Sequence, residues 1–312
     1  TIPQAQTLSG QLVATDSDSN LLMFDLEADG SGGVGPISTA NGGTVTLTNQ
    51  TTGTFDYIPA SVGGRGSDTF SYQVSDPEGN VDSAVETVIV DIKIMPFGDS
   101  ITSGIIDSDV VPALPLSGDR VGYRKPLHDT LISEGFTFDF VGSVTLGDNL
   151  LADPETESYG GWTASQLAFG QTPAVGDDGI RAWLTGNPAD IVLVHAGTNG
   201  LSGDTAGNGI TSILNQIDVW EGSPLGNPVT VLLAMIIDQN PVNADVTALN
   251  TSILNIALSR PTDDIVVVDQ FGALNYPADL NDQLHPNTTG YGKMATTWFN
   301  ELQTIIPKCP PP

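Results

Sequence analysis

Positive charge is scarce in this chain. Its 312 residues include 9 Lys and Arg against 37 Asp and Glu, a formal net charge of −28. A field of that sign repels polyanions at long range, so nucleic acid and anionic membrane surfaces are excluded as natural partners. Long hydrophobic runs are lacking too: no stretch of ~20 apolar residues could span a bilayer, and no membrane insertion is expected. No basic-then-apolar leader opens the sequence, which starts at Thr1 and is expected to be a mature or trimmed product. Cysteine is nearly absent. The single Cys309 sits in a proline-rich tail, residues 307–312, so no disulfide framework is available. Aromatics are sparse, yet the 39% hydrophobic share is enough to build a core.

Glycine (35) and proline (21) are, by contrast, abundant, and in the first third of the chain turn signals recur about every 8–12 residues. The segments between them alternate. In Thr69-Phe70-Ser71-Tyr72-Gln73-Val74 one face is apolar and the other polar, the period-two pattern of a half-buried strand. Residues 10–16, 21–29, 43–49, 53–59 and 84–92 read the same way, which predicts an antiparallel all-β sandwich over residues 1–91. Beyond Asp91 the rhythm changes. Apolar runs at 92–97, 136–141, 191–195, 229–237 and 265–268 alternate with helical spacing at 123–133, 209–219 and 246–257. Buried strands alternating with helices predict a three-layer α/β/α domain with a five-stranded parallel sheet over residues 92–306.

The first of these runs ends in Gly98-Asp99-Ser100. A serine just past the carboxyl end of a parallel strand stands at the crevice where open α/β sheets take ligands, and Gly98 permits the tight turn. The third run ends in Gly197-Thr198-Asn199, which brings a side-chain amide to the same sheet edge. Near the C-terminus Asp282 precedes His285 by three residues. That spacing lets the carboxylate reach the ring Nδ1–H and leaves Nε2 free. Of the three histidines only His285 has such an Asp partner, with Pro286 behind it. His195 lies inside an apolar run and reads as a core residue, His128 as a helix packing residue, and Arg124 as a structural ion-pair residue.

Taken in order, Gly98-Asp99-Ser100, Gly161 within Gly160-Gly161-Trp162-Thr163, Gly197-Thr198-Asn199 and Asp282-Gln283-Leu284-His285 resemble the four blocks of the SGNH (GDSL-type) hydrolases. Residues 97–102, 122–124, 138–143, 160–162 and 285–287 look like the family 3 carbohydrate esterases, the acetyl xylan esterases and their relatives. The resemblance spans about residues 93–302. It implies a flavodoxin-like α/β/α fold and a serine esterase needing no metal or organic cofactor. Ser100 would be the nucleophile, His285 the base and Asp282 its orienter. The oxyanion would meet the Ser100 and Gly161 N–H groups and the Asn199 side chain. Trp162, beside that glycine, reads either as a substrate-binding residue that shapes the acyl pocket or as a core-packing residue. After Asn199 the family usually has Asp, where this chain has Gly200. Residues 12–16, 53–59 and 68–76 are similar to the cadherin-like, immunoglobulin-like modules of bacterial surface and secreted proteins. That likeness points to fold rather than activity, and to a secreted or cell-surface location.

Two loop runs, Asp16-Ser17-Asp18-Ser19-Asn20 and Asp76-Pro77-Glu78-Gly79-Asn80, gather oxygen ligands of the kind calcium takes. Asp16, Asp18 and Asp76 are the candidate ligands of a structural calcium in the N-terminal domain. The composite expectation is a secreted serine esterase that deacetylates a polysaccharide such as acetylated xylan. The alternatives are a short-chain carboxylesterase or arylesterase without sugar preference, and an inactive glycan-binding or adhesion protein. Rates on acetylated xylan against p-nitrophenyl esters separate the first two, and the intact Ser100, Asp282, His285 and Asn199 weigh against the third.

Overall fold

The computed structural model describes residues 7–17, 21–26, 33–59, 66–106, 117–171, 179–204 and 207–306; Asp18 and the 307–312 tail lie outside them. The described residues form two compact units that meet in sequence between Asp91 and Ile92.

The first unit is a β-sandwich. Its strands are β1 (Leu8–Gln11), β2 (Met23–Asp25), β3 (Ile37–Ser38), β4 (Thr44–Asn49), β5 (Thr54–Ile58), β6 (Gly66–Ser75) and β7 (Val81–Val90). They pair antiparallel in two sheets, ordered β1-β5-β4-β3 and β2-β6-β7. Alternation decides which side chains enter the core: Val45 and Leu47 of β4, Phe55 and Tyr57 of β5, and Phe70 and Tyr72 of β6. Phe55 and Phe70 meet edge to face, with ring centroids 5.2 Å apart. Buried Asp68, on β6, ties the sheets together by accepting from the Tyr57 hydroxyl of β5 (2.8 Å), the Asn41 N–H (2.8 Å) and the Thr39 hydroxyl. Burial opposes its charge, but these donors hold its carboxyl below the usual carboxylate range.

The second unit contains β8 (Ile92–Gly98), β9 (Phe138–Phe140), β10 (Val144–Thr145), β11 (Glu155–Ser158), β12 (Ile191–His195), β13 (Thr230–Met235) and β14 (Ile265–Asp269). Its helices are α1 (Ser100–Ser103), α2 (Arg124–Ser133), α3 (Ala164–Phe169), α4 (Ile180–Gly186), α5 (Leu201–Asp204), α6 (Asn208–Glu221), α7 (Ala244–Leu258), α8 (Gln270–Ala273) and α9 (Thr288–Ile305). The expected five-stranded parallel sheet is corrected to a seven-stranded mixed one, ordered β10-β11-β8-β12-β13-β14 with β9 also on β8. β10 runs antiparallel to β11. β9 and β11 share one edge of β8: the first pairs with Ile92 to Ile94, the second with Phe97 and Gly98. Two strands escaped the apolar-run criterion for physical reasons. β10 has only two residues, and β11 is polar (Glu155-Thr156-Glu157-Ser158) because its buried groups are hydrogen-bonded instead; the Thr156 hydroxyl, for example, donates to the Pro96 carbonyl at 2.9 Å.

The central strands are apolar throughout because both of their faces are covered. Met95, Phe97, Val192, Val194, Val231 and Leu233 pack under α3, α4, α6 and α7. Ile92, Ile94, Ile191, Leu193, Leu232 and Ala234 pack against α2 and α9, where Trp298 and Tyr291 fill the layer. Among the described residues no helix is long and apolar enough to cross a membrane.

Fully buried Arg124 of α2 organises the side of the sheet near α1. Its guanidinium donates to the carbonyls of Thr102 (3.2 Å), Arg120 (2.6 Å), Leu146 (2.9 Å) and Pro154 (3.0 Å). Its hydrogen bonds go to backbone rather than to a carboxylate, which corrects the ion-pair expectation. Burial pulls its pKa down to about 10, so the group stays charged at neutral pH. Replacing it would strand these carbonyls, and an unsatisfied buried polar group costs ~1–3 kcal/mol. Arg124→Met is therefore expected to lower the unfolding free energy by about 3 kcal/mol or more. Urea denaturation checks this; a loss under roughly 1 kcal/mol would show that the carbonyls find other partners.

Candidate active site

Three neighbouring parallel strands bring the site together. In register, Gly98 of β8 lies level with Ser158 of β11 on one side and His195 of β12 on the other. The loops that follow therefore leave the sheet at the same edge, carrying Ser100, Gly161 and Asn199. Gly98 is required by the close approach of β12: a Cβ there would lie 2.2 Å from the His195 carbonyl oxygen and 2.5 Å from Thr102 Oγ1. Asp99 caps α1 by accepting the Ile101 N–H at 3.0 Å, which puts Ser100 at the first position of the helix. The β11 loop closes over it, since a Cβ on Gly160 would come 3.9 Å from Ser100 Cβ. Gly161 has φ +81°, a left-handed conformation that suits glycine.

The base arrives from the loop between α8 and α9, which is held by its own backbone. Leu280 bridges Pro286, the Asn281 N–H donates to the His285 carbonyl at 2.8 Å, and the Asn287 N–H donates to the Asp279 carbonyl at 2.9 Å. The Asn287 side chain caps α9 through the Gly290 N–H (3.0 Å) and donates back to the Ala278 carbonyl (2.9 Å). Lys293 of α9 pairs with Asp279 at 2.5 Å, and the loop after β13 adds an Asn240 N–H to the Gln283 carbonyl at 2.8 Å. Held this way, His285 Nε2 lies 3.0 Å from Ser100 Oγ, and its Nδ1 lies 2.7 Å from Asp282 Oδ2. The second oxygen, Asp282 Oδ1, accepts the N–H groups of Leu284 (2.6 Å) and His285 (2.5 Å). Ser100 is 4% exposed and His285 3%. A hydroxyl bonded to an imidazole whose far nitrogen faces a fixed carboxylate is the arrangement that turns serine into a nucleophile for acyl carbon.

The donors that would receive an oxyanion are tied to one another. Asn199 Nδ2 donates to the Trp162 carbonyl at 3.0 Å, joining the β12 loop to the β11 loop. An amide nitrogen carries two protons, so one remains for a ligand. Gly200 sits at φ +77°, and a Cβ there would fall 2.9 Å from Thr163 Cγ2. Trp162 stacks on Tyr159 (4.4 Å between ring centroids), which stacks in turn on Trp183 (5.1 Å). The Tyr159 hydroxyl donates to Glu157 at 2.5 Å, and Ser143 adds its N–H (2.8 Å) and its hydroxyl (2.9 Å) to the same carboxylate. Burial raises the Glu157 pKa while these donors work against the rise. Reading the residues one by one missed Tyr159, Trp183 and Glu157, which support Trp162. The available signal was the aromatic at 159, two positions before the left-handed glycine.

His195 is fully buried, its Nε2 accepts the Ile237 N–H at 3.4 Å, and burial pulls its pKa down to about 4, so it is neutral at physiological pH. His128 packs edge to face on Phe138 at 5.4 Å. In the first unit Asp16 and Asp76 line one open cavity of about 330 Å³ with Asn80 and Asp82. Asp76 accepts the Asn80 N–H (2.7 Å) and Nδ2 (2.6 Å), and these bonds lower its pKa. Among the described residues no cluster of three or more His, Cys, Asp or Glu side chains is arranged to hold a metal.

Comparison with known proteins places both units. Residues 1–89 match the family model of the bacterial Ig domain. A multidomain esterase of Ruminococcus flavefaciens is 28% identical over 238 residues, covering 69% of this chain and 29% of that protein. The chain thus spans under a third of the length of this curated relative. A family 3 carbohydrate esterase of Clostridium thermocellum is 27% identical with a TM-score of 0.55, over 69% of this chain and 96% of that one. An acetyl esterase mutant solved with an acetate ion is 26% identical with a TM-score of 0.54, over 69% and 98%. These likenesses bear out the resemblance to family 3 carbohydrate esterases and to an Ig-like module that the motifs carried.

The approach of β12 to Gly98 makes a direct prediction. A methyl group 2.2 Å from a backbone carbonyl must push two central strands apart, and overpacking of a core costs ~1–3 kcal/mol, occasionally more. Gly98→Ala is expected to lower the unfolding free energy by the upper end of that range, read as a lower urea midpoint, and to reduce catalysis through a displaced Ser100. A variant with wild-type stability would show that the strand edge yields.

Proposed function

We propose that residues 92–306 form a serine esterase that removes acetyl groups from a carbohydrate polymer such as acetylated xylan. The observation that carries this reading is the continuous chain Ser100 Oγ, His285 and Asp282 at 3.0 and 2.7 Å, buried at the edge where the sheet opens. The family 3 carbohydrate esterase and the acetate-bound acetyl esterase, at 27% and 26% identity, support the acetyl and carbohydrate parts.

In the first half-reaction Ser100 Oγ attacks the ester carbonyl carbon as His285 Nε2 takes its proton. The tetrahedral oxyanion meets the N–H groups of Ser100 and Gly161 and the remaining Asn199 amide proton. Collapse breaks the bond to the sugar oxygen, which leaves with the proton from His285. Water then attacks the acyl-enzyme with His285 as base, and acetate departs as the proton returns to Ser100. Asp282 keeps the ring in one tautomer and stabilises the imidazolium. Every proton moves between substrate, water and groups of this chain, so the steps call for no cofactor. An Ig-like module joined to a carbohydrate-directed catalytic unit supports action outside the cell.

Ser100→Ala is expected to abolish turnover of p-nitrophenyl acetate with an unchanged thermal midpoint, and an organophosphonate is expected to label Ser100. Residual turnover above background in that variant would sink the assignment.

The acyl preference tests the finer reading. Trp162, next to Gly161, stacks on Tyr159 and through it on Trp183; if this aromatic set bounds the acyl site, each added methylene meets a packed wall. We expect kcat/KM to fall from acetyl to butyryl to octanoyl esters at a fixed leaving group, and acetylated xylan to release acetate. Preference for octanoyl esters would move the assignment to a lipolytic esterase; good p-nitrophenyl turnover without release from xylan would favour an esterase lacking sugar preference.

A further inference from the structure

We propose that Asp99 is a positioning residue of the same reaction, which starts the helix bearing Ser100 and keeps a buried negative charge beside His285. The inference rests on the esterase reading. Asp99 is wholly buried. Its Oδ1 caps α1 through the Ile101 N–H at 3.0 Å, and that single oxygen fulfils the capping role. Its Oδ2 has no hydrogen-bond partner among the described residues, and neither does the equally buried hydroxyl of Thr198. A carboxylate oxygen kept out of water without a donor is costly. Of the buried side-chain atoms left without a partner among the described residues, Asp99 Oδ2 is the one carboxylate oxygen, and it belongs to the residue preceding Ser100.

The surroundings of Asp99 are defined element by element. From the β12 loop, the N–H and hydroxyl of Thr198 favour its charged form, without closing a bond of ordinary geometry on Oδ2. From the loop between α8 and α9, His285 attracts it. From α9, Tyr291 feels Asp99 and Asp282 together, and Tyr123, at the start of α2, feels Asp99; burial raises both phenols, which are therefore neutral. Burial pushes the Asp99 carboxyl up to about 6 against the opposing pull of Ile101, Thr198 and His285. The charged form thus prevails at neutral and alkaline pH.

The consequence for catalysis follows from where charge develops. As Ser100 attacks, His285 becomes an imidazolium, and Asp99 supplies a second fixed negative charge in a water-excluded region, where such charges act strongly. Thr198, whose N–H and hydroxyl favour the charged form of this carboxyl, is the residue next to Asn199, the side chain proposed to receive the oxyanion. Asp99 takes up no proton in the cycle. When pH falls through about 6 the carboxyl is protonated, its charge is lost, and kcat declines with it.

Asp99→Asn separates this role from capping, because asparagine still accepts the Ile101 N–H but carries no charge. On the full chain with p-nitrophenyl acetate, kcat is expected to fall roughly 10–100-fold. KM and the thermal midpoint should change little, and the decline of kcat near pH 6 should lose one ionisation. Thr198→Val, which removes the hydroxyl in a matched shape, is expected to lower kcat and move that ionisation to higher pH. A folded Asp99→Asn enzyme with wild-type kcat and an unaltered acid limb overturns the inference. If Asp99→Asn does not fold, Thr198→Val decides alone, and an unmoved acid limb there overturns it equally. An active wild type with unaffected variants sinks this inference only, whereas a wild type inactive on every ester tested sinks the esterase reading beneath it.

Discussion

The contact between Gly98 and the His195 carbonyl is the constraint on which the site depends. Two parallel strands can approach there only because one of them lacks a Cβ, and the register this permits sets Gly98 level with both Ser158 and His195. The three loops beyond these residues then have little freedom. Ser100 follows after two residues, Gly161 after three and Asn199 after four. The Asn199-to-Trp162 hydrogen bond closes the last degree of freedom between the two outer loops. Such preorganisation lowers barriers, since donors already aimed at a developing oxyanion need no reorganisation during the reaction. The central sheet, packed on both faces, supplies the stiffness.

The base is held by a different strategy. Asp282 and His285 lie on a connection with little regular structure, where fixing each backbone unit costs ~1–2 kcal/mol of conformational entropy. The chain offsets this locally. Both Asp282 oxygens are engaged, Asn287 closes the loop's end while starting α9, and Lys293 anchors Asp279 from one turn further on. The short sequence from 279 to 293 thus positions its own histidine largely through hydrogen bonds to itself. An aspartate three residues before a histidine is legible for this reason: the pairing is local, and its geometry follows from backbone spacing.

What was legible elsewhere follows the same division. Period-two alternation in residues 69–74 and the apolar runs ending at Gly98 and His195 report burial directly, so strands and faces could be read there. β11 could not, because Glu155-Thr156-Glu157-Ser158 is buried by satisfying its polar groups rather than by being apolar. Nor could β3 and β10, two residues each, whose pairing is decided by neighbours distant in sequence. Arg124 reads as an ion-pair residue, yet it serves backbone carbonyls from four separate positions, and no local pattern encodes that convergence. Ser100, Asp282, His285 and Asn199 were named from motif order, and the fold brings the first three into direct hydrogen-bonding sequence.

Scarcity of cations shapes the interior as well as the surface. With 9 Lys and Arg for 37 Asp and Glu, cations are few, and among the buried acids of the described residues Asp279 takes one of them, Lys293. Three others are served by neutral donors. Asp68 takes a phenol, a hydroxyl and backbone N–H groups. Glu157 takes a phenol and a serine, and Asp238 takes the N–H groups of Gln239 and Asn243. Salt screens bonds of this kind less than it screens exposed ion pairs, which lose strength beyond a Debye length of ~10 Å at 0.1 M. Asp99 departs from the pattern, since one of its oxygens has no hydrogen-bond partner of ordinary geometry among the described residues. Beside Asp68, Glu157 and Asp238, whose charges are met by neutral hydrogen-bond donors, an oxygen left open beside the nucleophile is best understood as charge kept for the imidazolium that forms next to it.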